Sequence, residues 1–206
     1  VIERVVTSGT FQLDGGSWDV DNNVWLVGDE NEVLVIDPAH DAEPILAAVG
    51  NRKLTAIVCT HGHNDHIGAA EAVKNATGAP VWIHPDDRML WDVVYPELAP
   101  DADLAHGQEL RVAGRTLSVL HVPGHSPGSV SLYAPELGVV FTGDTLFNGG
   151  PGATGRSYSD FGTIIDSIST RLLTLPAGTT VHTGHGDDTS IEVEAPHVSE
   201  WLARGH

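Results

Sequence analysis

Short apolar runs separated by polar, turn-forming residues mark strands in the first third of the chain. Residues 5–13 read as a strand. Apolar runs at 24–27 and 33–36 flank Gly28, Asp29, Glu30 and Asn31, residue types that favour a turn, so a hairpin is expected there. The apolar stretch 54–59 is too short for a buried helix and reads as a buried strand. Helices are expected over 44–49, 69–77 and 86–94, with a short strand at 81–83 between the last two. From residue 109 the pattern changes to strands: those at 110–112, 116–121, 129–133 and 139–142 carry the signature of an antiparallel meander. A glycine-rich loop over 148–155 leads to a helix from about Ser159, in which Phe161, Ile164, Ile165, Ile168, Leu172 and Leu175 keep helical spacing until Pro176 and Gly178 stop it. A strand at 180–183 and a helix over 191–204 complete the pattern. Strands followed by helices, twice over and without a dividing linker, imply one domain over residues 1–206 with two sheets face to face and helices outside.

Composition narrows the function. Hydrophobic residues make up 41% of the 206, enough for a substantial core, while 28 acidic against 10 basic residues give a formal charge of −18. Such a surface repels phosphate backbones and anionic lipid, which argues against nucleic acid and membrane partners. The one cysteine, Cys59, can form neither an internal disulfide nor an all-thiolate metal site, and its place in an apolar strand marks it as a small buried hydrophobe in a reducing compartment. No apolar run approaches the ~20 residues of a membrane span. Residues 1–7 alternate with charges, unlike a signal peptide, so a soluble, cytoplasmic protein is expected.

Histidine carries the chemistry. Thr60-His61-Gly62-His63-Asn64-Asp65-His66 begins where the buried strand ends and crowds three imidazoles and a carboxylate into one loop, the nitrogen and oxygen donors that borderline metals prefer. His61 and His63 can converge on one ion if the loop is extended, with Asp65 and His66 turned toward a second. Three further candidates each follow an apolar strand and a glycine: His125 in Gly124-His125, Asp144 in Gly143-Asp144 and His185 in Gly184-His185. Together they make seven candidate ligands, enough for two ions with Asp144 between them. His84, at the end of a strand, is a candidate hydrogen-bond partner of a ligand or a turn residue; His40, His106, His121, His182, His197 and His206 lie in no motif. Trp18, Trp25 and Trp91 are core residues or pocket walls.

These four motifs in this order resemble the metallo-β-lactamase superfamily. The resemblance implies a four-layer αββα sandwich with a dinuclear centre at one edge of its sheets. His61, His63 and His125 then look like ligands of the first metal, Asp65, His66 and His185 like ligands of the second, and Asp144 like the bridge. The implied cofactors are two divalent ions, zinc first and iron or manganese as alternatives, and the implied reaction is hydrolysis by a metal-bridging hydroxide that Asp65 helps to orient.

Within the superfamily, Phe141-Thr142-Gly143-Asp144-Thr145-Leu146-Phe147 followed by Gly149-Gly150 resembles the glyoxalase II branch of thioester hydrolases. The glutathione-type members of that branch carry an additional C-terminal helical region with basic residues. This chain runs only about twenty residues past His185 and has two lysines, Lys53 and Lys74, so glutathione is not the expected carrier. The segment Trp18-Asp19-Val20-Asp21-Asn22-Asn23 and residues 149–161 are similar to an actinobacterial subgroup linked to mycothiol-dependent formaldehyde oxidation, which implies S-formylmycothiol or a related mycothiol thioester as substrate. Arg156 is a candidate substrate contact or an ion-pair partner of Asp160, and Asn148 and Tyr158 are candidate pocket residues. Glutathione thioester hydrolysis, a mononuclear iron persulfide dioxygenase, a lactone or β-lactam hydrolase and a nonenzymatic metal-binding protein are the rival readings.

Overall fold

A computed structural model describes residues 1–206. Two six-stranded mixed sheets form, each from a continuous half of the chain. The first runs β1 (Ile2–Leu13), β2 (Gly16–Gly28), β3 (Glu32–Ile36), β4 (Lys53–Val58), β5 (Val81–Ile83) and β6 (Ala102–Asp103), in that order. The second has the order β14-β13-β10-β9-β8-β7, built from β7 (Glu109–Val112), β8 (Arg115–His121), β9 (Val130–Ala134), β10 (Val139–Gly143), β13 (Thr180–Thr183) and β14 (Thr189–Ser190). A two-stranded ribbon, β11 (Leu146–Phe147) with β12 (Gly150–Pro151), occupies part of the expected glycine-rich loop. Helices α1 (Ala42–Val49), α2 (Asn64–Ile67), α3 (Ala70–Thr77), α4 (Arg88–Val94), α5 (Phe161–Ser167), α6 (Ile191–Glu194) and α7 (Val198–Arg204) complete the chain.

The period of two along the strands sorts side chains into three apolar interfaces, and these make the layers. Val24 and Leu26 of β2 and Val33 and Val35 of β3 point outward onto Ile45 and Val49 of α1, Val73 of α3 and Trp91 of α4. Their neighbours Trp25, Val27, Leu34 and Ile36 point inward, onto Leu117, Val119, Leu132 and Phe141 of the second sheet. Val140 and Val181 on the far face of that sheet are covered by Ile164, Ile168, Leu172, Ile191 and Trp201. The αββα sandwich is therefore the expected one, as are the hairpin of β2 with β3 and the meander of β7 to β10.

Three elements differ from expectation. The strand expected over 24–27 is the end of the longer β2, which pairs with β1 without interruption from Ile2↔Val27 to Leu13↔Gly16 and turns at Asp14-Gly15. The far half of this hairpin projects beyond β3 as a two-stranded arm. The helix expected past Leu172 changes at Ile168 to a π-helical turn, where Leu173 N–H donates to the Ile168 carbonyl at 2.9 Å. The closing helix is broken into α6 and α7 by a 3₁₀ turn over Ala195–His197 that contains Pro196, which has no N–H to continue the ladder. No helix is long and apolar enough to cross a membrane.

Because β3 and β4 run parallel, as do β10 and β13, the loops that follow them emerge at one end of the sandwich. The β8–β9 connection reaches the same end, and the projecting arm stands beside it.

Candidate metal centre

All seven candidate ligands meet at that end. His61 and His63 follow β4, with His63 at the start of α2; Asp65 and His66 lie on the single turn of α2, so the loop is helical where the sequence left it irregular. His125 comes from the β8–β9 connection, Asp144 from the turn after β10 and His185 from the turn after β13. His61, His63 and His125 form one buried set, and Asp65, His66, Asp144 and His185 a second. Asp144 Oδ2 lies between them, 3.2 Å and 3.3 Å from Nε2 of His66 and His185, 3.5 Å from Nε2 of His125 and 3.9 Å from Nε2 of His61.

Hydrogen bonds on the outer nitrogens orient four of the imidazoles. His125 Nδ1–H donates to the Ala153 carbonyl at 2.8 Å and His185 Nδ1–H to the Asp21 carbonyl at 2.7 Å. His66 Nδ1–H donates to Asp37 Oδ2 at 2.9 Å. Thr60 Oγ1 gives its proton to the same carboxylate and so accepts from His61 Nδ1–H at 3.1 Å. Each of these rings therefore turns Nε2 inward. The result is a concentration of nitrogen and oxygen atoms, all of ligand type, around two points. His66 Nε2 stands 3.3 Å from His185 Nε2 and 3.3 Å from Asp65 Oδ2, and His185 Nε2 3.2 Å from Asp65 Oδ2. Four donors at about 2.0 Å from one tetrahedral ion stand about 3.3 Å apart, which matches the second set. In the first, His63 Nδ1 lies 3.1 Å from His125 Nε2. His61 Nε2, Asp65 Oδ1 and Asp144 Oδ1 are buried without any partner. Buried acceptors without a donor are costly, and cations are the groups that relieve them. The residues present fit a pair of divalent metal ions.

The two sets differ electrostatically. Burial and the neighbouring His66 hold His61 well below the ordinary imidazole range, and burial with His125 brings His63 down to about 3. In the second set burial works the same way but is overcome: the carboxylates of Asp144, Asp65 and Asp37 push His66 well up, and Asp144 with Asp65 takes His185 up to about 10. Against their own burial, Asp65 and Asp144 are held well below the ordinary carboxylate range by these imidazoles. The carboxylate-bearing set thus attracts positive charge, and the imidazole set offers neutral nitrogen donors.

Glycines set the close approaches. A Cβ on Gly184 would lie 2.4 Å from Asp144 Oδ1 and 2.9 Å from His66 Cε1, so the residue before His185 is glycine for lack of room rather than for a sharp turn. Gly143, at φ +53°, does need the left-handed conformation, and a Cβ there would meet Thr60 Oγ1 at 2.5 Å.

Several polar residues that support the site were not singled out from sequence. Asp37 takes Thr60 N–H on Oδ1 at 2.7 Å and, on Oδ2, serves His66 and Thr60 as above. Asp87 ties two ligand loops together: its Oδ2 accepts from Gly62 N–H at 2.8 Å and Ser126 Oγ at 2.7 Å, and its Oδ1 from Gly128 N–H at 2.6 Å. Asn22 donates to Asp65 Oδ2 at 3.1 Å, and His40, which no motif contained, bonds to Asn22. Asp37 follows an apolar strand just as Asp144 does, a signal that was open to use; Asp87 and Asn22 had none. His84 does not reach a ligand. It accepts from Asp86 N–H and stacks on His121 with centroids 4.2 Å apart and planes at 10°, so the lone pairs of this pair lie in parallel planes and do not converge on an ion. Cys59 is fully buried, and burial pushes its thiol well up, as expected of a packed hydrophobe.

A cavity of about 320 Å³ opens over Asp65, Asp144, His125 and His185, walled by Phe11, Val20, Phe147, Ala153 and Arg156. Phe11 and Val20 come from the projecting arm. Its tip is latched to the loop before α5 by Asp14, which accepts from Ser157 N–H at 3.0 Å and from Ser157 Oγ at 2.5 Å. Arg156 makes no ion pair with Asp160, which instead caps α5 through Thr163; its guanidinium lies over Trp18 at 4.6 Å and Phe11 at 5.7 Å. Two expected pocket residues stand elsewhere. Asn148 donates to the Asp188 carbonyl and borders a separate hollow with Glu194 and Trp201, and Tyr158 is 57% exposed, outside the cavity wall. Both lie on loops whose course the glycines of 149–155 determine, which strand periodicity does not reveal. Trp25 and Trp91 are core residues, while Trp18 belongs to the arm.

Known proteins resemble this chain in sequence and fold. The hydroxyacylglutathione hydrolase GloC of Haemophilus influenzae is 35% identical over 182 residues, 81% of this chain and 85% of that protein. Among solved structures, the BLEG-1 B3 metallo-beta-lactamase superposes with a TM-score of 0.79 at 31% identity, over 93% of this chain and 97% of that one. TTHA1623 in a di-iron-bound form does so with a TM-score of 0.76 at 36% identity, over 85% and 93%. The family model of the metallo-beta-lactamase superfamily matches residues 18–185. That match runs from the projecting arm to His185, the last of the candidate ligands, and takes in all seven; the chain belongs to the metallo-β-lactamase superfamily.

Proposed function

We propose that this protein is a binuclear metal-dependent hydrolase of small acyl thioesters, with S-formylmycothiol or a related mycothiol thioester as its substrate. The observation that carries the reading is the meeting of two complete ligand sets at Asp144, on the floor of a cavity with largely apolar walls. His61, His63 and His125 would hold one ion, Asp65, His66 and His185 the other, with Asp144 shared. Two divalent ions held there supply hydroxide at neutral pH and Lewis acidity for the acyl oxygen. Asp65 uses Oδ2 toward the second set and keeps Oδ1 free to accept a hydrogen bond from the attacking water. Phe11, Val20 and Phe147 exclude bulk water from the acyl group. A thiol leaving group with a pKa of about 8.5 departs without a general acid, and the cavity offers none.

The similarity to a hydroxyacylglutathione hydrolase supports thioester chemistry. Arg156, the one cation of the cavity wall, faces the carrier; a single guanidinium suits a carrier with little negative charge better than a tripeptide with two carboxylates. The proposed partner is this small molecule alone, in the cytoplasm. Zinc is the proposed ion. Histidine and carboxylate donors accept iron as well, and the di-iron form of a 36% identical structure makes it the competitor, which metal analysis of protein isolated without added metal decides.

The test is thiol release by metal-loaded protein from acyl thioesters of mycothiol, glutathione and coenzyme A. A strong preference for the mycothiol ester supports the whole proposal. Equal turnover of the glutathione ester removes the carrier and keeps the chemistry. No release from any of the three, with both sets loaded, rejects thioester hydrolysis, and oxygen consumption with a thiol persulfide would then identify a dioxygenase.

A further inference from the structure

We infer that His40, acting through Asn22, positions the Asp65 carboxylate, fixing which of its oxygens faces the metal centre. The inference rests on the proposed role of Asp65. The chain of contacts is short, half-buried at His40 and buried at Asn22 and Asp65. His40 Nε2 lies 2.7 Å from Asn22 Oδ1, and Asn22 Nδ2 lies 3.1 Å from Asp65 Oδ2 and 3.4 Å from His66 Nε2. An amide oxygen cannot donate, so the proton of the first contact sits on His40 Nε2. Accepting it commits the Asn22 side chain to one of its two orientations, with the NH₂ group toward Asp65. The opposite orientation would set a carbonyl against a carboxylate. With Asn22 donating to Oδ2, that oxygen is held toward His66 and His185, and Oδ1 is left buried and without a partner.

The backbone is shaped around this contact. His40 adopts φ +60°, a left-handed conformation that is costly for a residue with a side chain and that persists where surroundings enforce it. Here Thr7 Oγ1 and Asp41 N–H, both at 2.7 Å, hold the carbonyl of the preceding Ala39. On β1, Gly9 leaves a notch for the imidazole: a Cβ at that position would lie 2.2 Å from His40 Nδ1. Strand, turn and ring are thus fitted to one another around a residue that lies outside every ligand motif and outside the cavity wall.

Two variants remove the contact in independent ways. His40→Ala deletes the ring, and Gly9→Ala, at a backbone conformation open to alanine, displaces it. His40→Gln is the conservative variant, because an amide N–H can take the place of Nε2–H. Each is titrated with Co²⁺, following the absorption spectrum of both equivalents and assigning each to its set with the His125→Ala and His185→Ala variants, and the Asn22 side-chain amide is followed by NMR in the metal-free protein. Both disrupting variants are expected to shift the Asn22 amide resonances, to alter the Co²⁺ spectrum and to weaken the equivalent held by the Asp65, His66 and His185 set about tenfold, the lower end of what lost outer hydrogen bonds cost metal sites. Turnover of the preferred thioester should fall about tenfold in kcat with KM unchanged, and His40→Gln should restore most of each effect. Wild-type Co²⁺ affinity and unmoved Asn22 resonances in His40→Ala overturn the inference. So does an equal loss at both equivalents with no rescue by glutamine, the result of a merely structural role. If wild-type protein releases no thiol at all, the thioester reading fails while the Co²⁺ and NMR results still decide this one.

Discussion

Asp87 offers a quantitative test of how the ligand loops are held together. Its buried carboxylate is the shared acceptor for Gly62 N–H, between two candidate ligands, and for Ser126 Oγ and Gly128 N–H, just past a third. In Asp87→Ala all three donors lose it. Ser126 keeps a partner, because its Oγ stands 2.7 Å from Ser129 Oγ, but the two backbone N–H groups are orphaned. At about 1–3 kcal/mol for each unsatisfied buried group, the cost is about 2–6 kcal/mol, a large part of the 5–15 kcal/mol or so that holds an ordinary domain together. Asp87→Asn separates the contributions. With its oxygen in the place of Oδ2 it still serves Gly62 and Ser126, while its NH₂ faces Gly128 N–H, so one group is lost at about 1–3 kcal/mol. Urea unfolding of the metal-free proteins measures this without the added stability of bound ions. The expected order is wild type, then Asp87→Asn, then Asp87→Ala. An alanine variant within about 1 kcal/mol of wild type and with normal metal binding would refute the claim that this carboxylate staples the loops.

Metal stoichiometry tests the partition of the ligands: His125→Ala should lose one equivalent from the imidazole set, His185→Ala one from the other, and Asp144→Ala should weaken both, as equilibrium dialysis with metal analysis would show. Gly184→Ala should impair binding as severely as loss of a ligand, since its methyl group would occupy space within 2.4 Å of Asp144 Oδ1; full occupancy in that variant would count against the geometry. Arg156→Met keeps an unbranched stem against Trp18 and should raise KM for the preferred thioester with little change in kcat; an unaltered KM would remove Arg156 from carrier recognition. On the surface, hydrogen bonds from Lys74 and Val81 hold the Asp101 carboxyl below its ordinary value despite partial burial. A lowered pKa in the folded state stabilises above the unfolded pKa and is lost as pH falls through the folded one. The gap in Tm between wild type and Asp101→Asn should therefore be present at neutral pH and close below about pH 4; a gap that persists in acid would show that the charge is not its source.

Sequence made the metal centre legible because its chemistry is concentrated. Three imidazoles and a carboxylate within six residues need no tertiary knowledge to be noticed, and the strands around them stand out as short apolar runs because both faces are buried, one against the other sheet and one under the helices. The first half of β2 escaped for the converse reason: most of residues 16–21 lie outside the core, and an alternation of only two apolar residues, Trp18 and Val20, between Ser17, Asp19 and Asp21 is too short to mark a strand. Asn22, Asp37 and Asp87 act through partners 23 to 43 residues away, and pairings at that range leave no local pattern. His40 looked ordinary because its partner is an asparagine eighteen residues upstream and its notch is a glycine on yet another strand segment. The break between α6 and α7 was open to prediction from Pro196; the apolar spacing of 191–204 masked it.

The division of the sandwich into two consecutive halves has a consequence for the order of folding. Strands β1 to β6 use residues 2–103 and the second sheet residues 109–190, so each sheet can begin to form from its own stretch of chain. Neither half holds a whole metal set. The first contributes His61, His63, Asp65 and His66, the second His125, Asp144 and His185, and each set draws on both. Ion capture must therefore await the docking of the two sheets, and it reports on that docking. In a refolding experiment secondary structure should appear first and tight metal uptake last, and the ions, once taken up, act as rivets across the seam between two separately formed halves.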